Sequence, residues 1–211
     1  MKYADNIREV ERLRVDSQKS GTPLGIDLMG FIFWPKSSRY VSQRPAYLPT
    51  MCKRVGVFVD EDIETVRRIA NDYALDYIQL HGHESPNYCS QLQGLHLIKA
   101  ISVSGRDDIA AYNRYEGLVD YFLFDTKCPS VGGSGQQFDW AVLSAYDGRT
   151  PFLLSGGIGP DDAPRLRQAF ALDGFPAEKC VGIDLNSRFE SAPGLKDINK
   201  LKQFLEHYEH D

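Results

Sequence analysis

Short apolar runs alternate along the whole chain with longer stretches that have helical spacing. The runs are rich in Val, Ile, Leu and Phe, as is typical of strands buried on both faces of a parallel sheet. Seven such runs predict strands at 28–33, 54–59, 77–80, 96–103, 121–125, 152–156 and 181–185. Because each run is separated from the next by about one crossover helix, the pattern indicates an α/β fold.

The stretches between these runs carry helix signals. In 60–75 the apolar residues fall on one stripe behind an acidic opening, and Ser85 followed by Pro86 predicts a second helix start. Further helical patterns cover about 106–116, 139–147, 160–172 and 195–208. No composition shift or linker divides the sequence, so we expect one domain over residues 1–211.

Two architectures fit this alternation: an open doubly wound sheet and a closed (β/α)8 TIM barrel. The end of the chain favours the barrel, because Gly-Gly-Ile-Gly follows the sixth run and Asp-Leu-Asn-Ser follows the seventh. Barrels commonly bind phosphate with the loops after strands 7 and 8. Counting backwards then makes the run 28–33 strand 2.

The segment before 28–33 indicates a helix rather than strand 1. Asp5 is a candidate cap, apolar residues form a stripe, and Gly21-Thr22-Pro23 would end the helix. We therefore expect a (β/α)8 barrel that lacks strand 1, with seven strands and a chain that starts in helix 1. We also expect this polypeptide to be N-terminally truncated.

The composition limits the classes of partner. With 24 Lys+Arg and 29 Asp+Glu the formal charge is −5, which argues against a nucleic-acid or anionic-membrane surface. No apolar run approaches the roughly 20 residues of a membrane span, and the charged start is no secretory signal. The four cysteines lie far apart without a C-x-x-C pair, which argues against disulfides or structural zinc and favours a reducing cytoplasm.

Asp125 is a carboxylate at the end of an otherwise apolar strand. At the carboxyl-end rim of a barrel such a residue is a candidate proton donor, because partial desolvation raises the pKa of a carboxyl group. The alternatives are a helix N-cap or an ion-pair partner of Lys127.

Gly156, Gly157 and Gly159 lie between a strand and a helix, where backbone N–H groups can cradle an anion. The alternative is an ordinary tight turn. Asn186-Ser187 follows the last strand. The two loops together favour a shared phosphate site more strongly than either loop does alone. The glycine-rich segment 132–135 is interpreted as a lid over the acid, or as a plain loop.

Arg39 follows the strand 28–33 and should lie at the same rim, where its fork could bind carboxylate or phosphate, unless it is a solvated surface residue. Gln79 and His81 end another strand. His81 and His83 form an H-x-H pair, but no further ligand is suitably spaced, so we expect no metal and interpret His81 as a polar pocket wall.

Seven segments, in order, resemble the phosphoribosylanthranilate isomerase family of tryptophan biosynthesis: GFIFWPKSSRYV, VGVFVDE, IQLHGHES, FLFDTK, GGSGQQFDW, LSGGIGPDDA and GIDLNSRFE. The resemblance covers about residues 4–208. It implies a (β/α)8 barrel that catalyses an Amadori rearrangement of N-(5′-phosphoribosyl)anthranilate to 1-(2-carboxyphenylamino)-1-deoxyribulose 5-phosphate without cofactor or metal.

The resemblance also implies roles for individual residues. Asp125 would be the general acid that protonates the furanose ring oxygen, and Arg39 would hold the anthranilate carboxylate. Asp184 would face the substrate, and Arg188 stands where many members have glycine. The implied phosphate-binding residues are Gly156, Gly157, Asn186 and Ser187.

The family's general base is a cysteine in a Lys-x-Cys-Gly motif that ends strand 1. Here Met1-Lys2 aligns with the residues just after that motif. None of the cysteines at 52, 89, 128 and 180 is an obvious substitute. We therefore expect impaired turnover that an upstream extension restores.

Two other interpretations remain open at this point. One is another phosphate-binding barrel enzyme, such as indole-3-glycerol-phosphate synthase, with Lys99 or Lys127 as catalytic lysine, or a thiamin-phosphate synthase. The other is a barrel that binds a phosphorylated ligand without turnover. In each case the expected partner is a small phosphorylated molecule, with no nucleic acid or membrane, and the chain is a monomer or homodimer.

Overall fold

A curled sheet of seven parallel strands forms the centre of the computed structural model, which describes residues 1–17, 21–126 and 138–210. Its seven strands follow one another in chain order, and the first two and the last two strands of the chain form separate antiparallel pairs. In chain order the strands are β1 (Arg14–Val15), β2 (Leu24–Gly25), β3 (Leu28–Ile32), β4 (Lys53–Phe58), β5 (Tyr77–Leu80), β6 (Leu97–Val103), β7 (Tyr121–Thr126), β8 (Phe152–Leu154), β9 (Cys180–Ile183), β10 (Glu190–Ala192) and β11 (Leu195–Lys196).

Six α-helices lie in the described part of the chain: α1 (Ala4–Arg12), α2 (Ile63–Tyr73), α3 (Pro86–Gln91), α4 (Arg106–Ile109), α5 (Ala163–Phe170) and α6 (Ile198–His210). Two predicted helix starts, the acidic opening before α2 and Ser85-Pro86 before α3, are confirmed. The Asp62 carboxylate accepts a hydrogen bond from the Thr65 amide at 2.9 Å, and Ser85 caps α3 ahead of Pro86. None of the described helices is long and apolar enough to cross a membrane.

Of the predicted helices, one takes the tighter 3₁₀ form in its second half and another throughout. The pattern at 106–116 is α4 followed by a 3₁₀ helix over Ala110–Arg114, and the pattern at 139–147 is a 3₁₀ helix over Trp140–Ala145. Residues 195 and 196, predicted as helical, pair in β11 instead, so α6 begins at Ile198.

The prediction for the first helix was right about its existence and wrong about its ends. Asp5 does not cap it: the capping position is Tyr3, and Asp5 lies in the first turn, paired with Arg8 at 2.9 Å. The helix ends at Arg12, well before Gly21. Leu13 and Val15 are buried and Arg14 between them is exposed, which is a period of two that suits an extended chain.

The sheet alternates its side chains between two buried clusters. One face packs against the helices with large aromatic residues such as Phe58, Phe122 and Phe124, all fully buried. The other face turns smaller apolar residues toward the inside of the curl: Val55, Ile98, Ala100, Leu123 and Leu153. This second cluster is the interior layer expected of a barrel.

β3 and β9 are the two edges of the seven-stranded sheet, and no described residue forms a strand between them. The Met1 ammonium group donates a hydrogen bond to the Gly30 carbonyl of β3 at 2.5 Å. Nearby, the Asn6 side chain of α1 exchanges two hydrogen bonds with the Lys196 backbone, at 2.9 and 2.7 Å. The predicted barrel with seven of eight strands is confirmed.

Candidate active site

The carboxyl ends of all seven strands lie at the same rim because the strands are parallel. A cavity of about 1200 Å³ runs along the concave face of the sheet, and its lining includes residues at this rim, which we call the mouth. Six of the residues predicted from the sequence line the cavity: Arg39, Asp125, Gly157, Asp184, Asn186 and Ser187. Among the other lining residues, His81, Glu190 and Lys196 contact three of these six, namely Asp125, Arg39 and Asn186 in that order.

Asp125 lies near the end of β7 and is held through both carboxylate oxygens. The amide of Thr126 donates to Oδ1 at 2.9 Å, and Nε2 of His81 lies 3.2 Å from Oδ2. About a quarter of the Asp125 side chain remains exposed, 24%, so a ligand in the mouth can reach it. Lys127, the partner in the ion-pair alternative, lies outside the described residues.

His81 connects Asp125 to Gln79. The side-chain amide nitrogen of Gln79 lies 2.9 Å from Nδ1 of His81. An amide N–H can only donate, so in this arrangement Nδ1 is the acceptor and the imidazole carries its proton on Nε2. His81 therefore donates a hydrogen bond to Asp125, which is a more specific role than the polar wall predicted from the sequence.

A buried ion pair fixes the backbone around His81. Nζ of Lys99 lies 3.0 Å from the Glu84 carboxylate, and neither side chain is more than 3% exposed. The same Nζ donates to the carbonyls of Leu80 and Gly82, at 3.1 and 2.8 Å, on either side of His81. Lys99 is thus engaged in holding the chain, which argues against the catalytic lysine of the alternative interpretation.

The glycine turn after β8 lies directly beside Asp125. Gly156 and Gly157 have φ of +96° and +66°, a region that favours glycine. A Cβ on Gly156 would come within 2.3 Å of Oγ1 of Thr126, so no side chain fits between the turn and the end of β7. Only Gly157 of the two lines the cavity, and Gly156 serves the close approach of the two loops.

The amide of Gly159 is already used inside the protein. It donates to the Asp162 carboxylate at 2.7 Å, and Arg188 lies 3.6 Å from the same carboxylate. Arg188 is 48% exposed and packs beside Gly159, so the residue that departs from the family pattern lies next to the glycine turn.

Lys196 organises the second predicted phosphate loop, after β9. Its Nζ donates to the carbonyls of Leu185 and Asn186, at 3.0 and 2.9 Å, and to the Asn186 side-chain oxygen at 3.1 Å. Burial lowers the pKa of Lys196, and the nearby carboxylates of Glu190 and Asp184 counteract this effect. The sequence reasoning missed Lys196, because a lysine in a short hairpin carries no pattern of its own.

Asp184 lies one residue beyond β9 and accepts a hydrogen bond from the Ser155 hydroxyl at 2.9 Å. Burial raises the pKa of Asp184. The charge of Lys196 and the Ser155 hydrogen bond oppose that shift, and the negative charge of Asp125 adds to it. Two carboxyl groups therefore share the mouth, and desolvation acts on Asp184.

Arg39 lies at the mouth, as predicted, and is 14% exposed rather than a solvated surface residue. Its guanidinium is engaged by Glu190, with Nε 3.0 and 2.8 Å from the two carboxylate oxygens and Nη2 2.8 Å from one of them. Glu190 was not predicted, since 151 positions separate it from Arg39 along the chain.

None of the three cysteines in the described ranges lies at the carboxyl-end rim. Cys52 precedes β4 and Cys180 opens β9, both at the opposite end of the strands, and Cys89 is buried in α3. Burial raises the pKa of the Cys52 and Cys180 thiols to about 11. Cys128 and the predicted lid at 132–135 lie outside the described residues.

The described residues contain no group of three or more His, Cys, Asp or Glu side chains arranged to hold a metal ion. His83, the second histidine of the H-x-H pair, points to solvent with 93% of its side chain exposed and contacts Asp60.

The fold and the mouth together define a (β/α)-barrel protein with acid–base groups and a glycine turn at the carboxyl ends of its strands. The model of the N-(5′-phosphoribosyl)anthranilate (PRA) isomerase family matches residues 9–207. The chain belongs to this family.

Individual relatives agree with the family match. The chain is 48% identical over 209 residues to N-(5′-phosphoribosyl)anthranilate isomerase of Phocaeicola vulgatus, covering 95% of this chain and 97% of the relative. It is 45% identical over 218 residues to the Parabacteroides distasonis protein of the same name, covering 100% of this chain and 91% of the relative.

Solved structures give the same result. The phosphoribosylanthranilate isomerase of Thermotoga maritima superposes with a TM-score of 0.73 at 34% identity, covering 87% of this chain and 88% of that chain. A phosphoribosylanthranilate isomerase in complex with reduced 1-(o-carboxyphenylamino)-1-deoxyribulose 5-phosphate superposes with a TM-score of 0.67 at 30% identity, covering 87% of this chain and 88% of that chain. The other phosphate-binding barrel enzymes considered from the sequence are therefore not favoured.

Proposed function

We propose that this chain isomerises N-(5′-phosphoribosyl)anthranilate to 1-(2-carboxyphenylamino)-1-deoxyribulose 5-phosphate in tryptophan biosynthesis. The observation that supports the mechanism is the close approach of the Gly156 turn to Thr126, because the candidate anion site is then next to the candidate acid, Asp125. A substrate that carries a phosphate group and a reacting sugar ring needs both in one cavity.

Asp125 is the proposed general acid. Its carboxyl proton passes to the furanose ring oxygen as the bond from that oxygen to C1′ breaks, and the anilino nitrogen lone pair forms the C=N bond of a Schiff base. Transfer of the C2′ proton to a base then forms the C1′=C2′ bond and returns the C=N electrons to nitrogen, which gives an enaminol. Protonation of C1′ and loss of the 2′-hydroxyl proton give the ketone product. The described cysteines at 52, 89 and 180 lie away from the mouth, so none of them is proposed as the base for C2′.

Arg39 is the proposed partner of the anthranilate carboxylate. A guanidinium has five N–H donors, and Glu190 uses Nε–H and an Nη2–H. The remaining donors form the edge that would bind the substrate. The orientation of that edge is set by Glu190, since a carboxylate and a guanidinium make two parallel contacts in one plane.

The phosphate is proposed to bind between the two loops that end β8 and β9. Gly157 lines the cavity from the first loop, and Asn186 and Ser187 line it from the second. Gly156 lets the first loop approach β7, and Lys196 holds the second loop through three hydrogen bonds. Asp184, between the loops and Asp125, is proposed to face the substrate.

We further propose a cytoplasmic protein formed by one domain over residues 1–211, whose partner is a small phosphorylated substrate rather than nucleic acid or membrane. Its assembly is proposed to be a monomer or a homodimer; the T. maritima isomerase is described as dimeric. Light scattering across a concentration series separates the two assemblies.

The activity is tested by incubating the purified chain with N-(5′-phosphoribosyl)anthranilate and quantifying the product by liquid chromatography. We expect D125N to lower kcat by about 10²–10⁴-fold, the usual contribution of a positioned acid or base. D173N, at an exposed loop position, is the matched control and should match the unsubstituted chain. A D125N variant with full kcat contradicts the assignment of the acid.

One alternative function stays testable in the same experiment. If the chain forms no product yet binds the reduced product analogue by calorimetry, it is a binder of a phosphorylated ligand without turnover.

A further inference from the structure

We infer that His81 is a positioning residue for Asp125, which it holds through an Nε2–H hydrogen bond in a tautomer that Gln79 selects. This inference rests on the proposed function, because it gives Asp125 the part of the acid. It adds two residues to the reaction, and neither needs to touch the substrate.

The first argument is the direction of the hydrogen bonds. Gln79 lies in β5, one position before its last residue, and His81 follows directly after the strand, so both point into the cavity. The 2.9 Å contact from the Gln79 amide to Nδ1 leaves only Nε2 to carry the ring proton. That proton points at Oδ2 of Asp125, 3.2 Å away.

The second argument is that the main chain of His81 is fixed from behind. Lys99 binds the carbonyls before and after His81, and the Glu84 carboxylate accepts hydrogen bonds from the Gly82 amide at 3.1 and 3.0 Å. Because Lys99 and Glu84 are buried and paired, the backbone cannot shift without breaking an ion pair in the interior. The imidazole is therefore presented to Asp125 at one angle.

The third argument concerns charge during ring opening. As Asp125 gives its proton to the ring oxygen, negative charge develops on its carboxylate. The Nε2–H of His81 and the amide of Thr126 each point at one oxygen of that carboxylate, and donors that are already in place stabilise charge where it develops.

The charged groups around His81 fit this description. Asp125 of β7 and Asp184 after β9 face it from the mouth, Lys99 of β6 binds the backbone beneath it, and Lys196 of the hairpin acts on Asp184. Of these groups, Asp125 is the carboxylate within hydrogen-bond distance of the imidazole.

The tautomer can be tested without turnover. In ¹⁵N-labelled protein at pH 7, the ring signals that H81Q removes from the five histidines should show a neutral ring with the proton on Nε2. Q79L removes the amide donor and should give a mixture of tautomers. A ring protonated on Nδ1 in the unsubstituted chain, or one that Q79L leaves unchanged, overturns the inference.

The kinetic test compares two substitutions at one position. H81L removes the donor and should lower kcat about 100-fold with KM within about threefold, while H81Q keeps an N–H donor at the tip and should recover about tenfold of that loss. H96L is the matched control and should leave both constants unchanged, because His96 is 69% exposed, precedes β6 at the opposite end of the strands and does not line the cavity. Equal kcat in H81L and the unsubstituted chain, or a loss confined to KM, contradicts a positioning role.

The two tests separate failure of the inference from failure of the proposed function. If the unsubstituted chain forms no product, the proposed activity is wrong. The positioning role is then decided by the NMR experiment alone, which shows the tautomer of His81 and whether it depends on Gln79. In that case D125A, which removes the acceptor of the Nε2–H bond, should also give a mixture of His81 tautomers. A tautomer that survives both Q79L and D125A overturns the inference.

Discussion

The Glu190 carboxylate lies against the Nε–Nη2 edge of the Arg39 guanidinium, with contacts of 3.0, 2.8 and 2.8 Å. Glu190 is 5% exposed and Arg39 14% exposed, so the pair is largely removed from water. Glu190 also accepts a hydrogen bond from the Gly194 amide at 3.1 Å, which fixes the carboxylate in its hairpin. An arginine held in this way presents its remaining donors in one direction.

This relationship predicts that a lysine, which has the charge but not the planar guanidinium of Arg39, cannot replace Arg39 in substrate binding. R39K keeps the positive charge, but one ammonium must then serve both Glu190 and the substrate carboxylate. We expect KM for N-(5′-phosphoribosyl)anthranilate to rise at least about tenfold, in line with about 1.5–3 kcal/mol for a hydrogen bond to a charged group, while kcat changes less. Steady-state kinetics checks this, with R44K at an exposed position as the control. An unchanged KM in R39K would show that the substrate carboxylate binds elsewhere.

The buried pair of Lys99 and Glu84 predicts that the free energy of unfolding depends strongly on both residues. Removing one partner leaves an uncompensated charge in the interior, so K99M should lower the free energy of unfolding by about 3–5 kcal/mol. The double variant K99M/E84Q leaves no unpaired charge and should cost less than the sum of the two single variants. Urea denaturation of all three variants measures this, and strict additivity would contradict the coupling.

Glu11 of α1 joins the first helix to the loop before β4. Its carboxylate accepts hydrogen bonds from the Tyr47 hydroxyl and from the amides of Thr50 and Met51, the latter two at 2.9 and 3.3 Å. Burial raises the pKa of Glu11, but these hydrogen bonds outweigh it and hold the pKa below the usual 4.5. The folded state therefore favours the ionised form.

The sign of the resulting pH dependence follows from that direction. A carboxyl group with a lowered pKa in the folded state contributes stability that is complete above its usual pKa and is lost as the pH falls below it. E11Q should thus be less stable than the unsubstituted chain by about 1–3 kcal/mol at pH 7, with the difference shrinking below about pH 4.5. Urea denaturation at several pH values tests this. E9Q, exposed on the same helix, should show no such difference.

The elements that could be predicted from the sequence are those with a local signal. Apolar runs give all seven strands of the sheet within a few residues, and the shared direction of parallel strands brings Asp125 and Gly157 to one mouth. The first helix was extended too far, because the change from helical spacing to the period of two at Leu13 spans only three residues.

The parts that could not be predicted are contacts between distant polar residues. Glu190 meets Arg39 across 151 positions, and Lys99 meets Glu84 on the neighbouring strand's loop rather than within one motif. Such pairs have no periodicity, and their identity depends on which side chains the finished barrel brings together. The hydrogen bond from His81 to Asp125 belongs to the same class, since 44 positions separate the two residues.

From the buried position of Asp184 we predict that this active-site residue lowers the stability of the fold at neutral pH. Its folded pKa is raised above the usual 3.8, chiefly by burial, so the folded state binds this proton more tightly than the unfolded state does. As the pH rises past 3.8 the unfolded chain ionises first, and the free energy of unfolding falls until the folded pKa is passed. D184N stays neutral and keeps an oxygen that can accept from Ser155. It should therefore match the unsubstituted Tm at low pH and exceed it increasingly toward neutral pH.

Thermal unfolding from pH 4 to 8 measures that difference, in which each kcal/mol corresponds to about 2–4 °C for a chain of this size. D173N, exposed in a loop, should show a difference from the unsubstituted chain that does not change with pH. A stabilised D184N with reduced turnover would mean that the mouth keeps a desolvated carboxyl group for the reaction at the expense of stability. The opposite result is that D184N loses stability relative to the unsubstituted chain as the pH rises from 4 to 7. It would mean that Lys196 stabilises the ionised Asp184 and that desolvation does not dominate at this position.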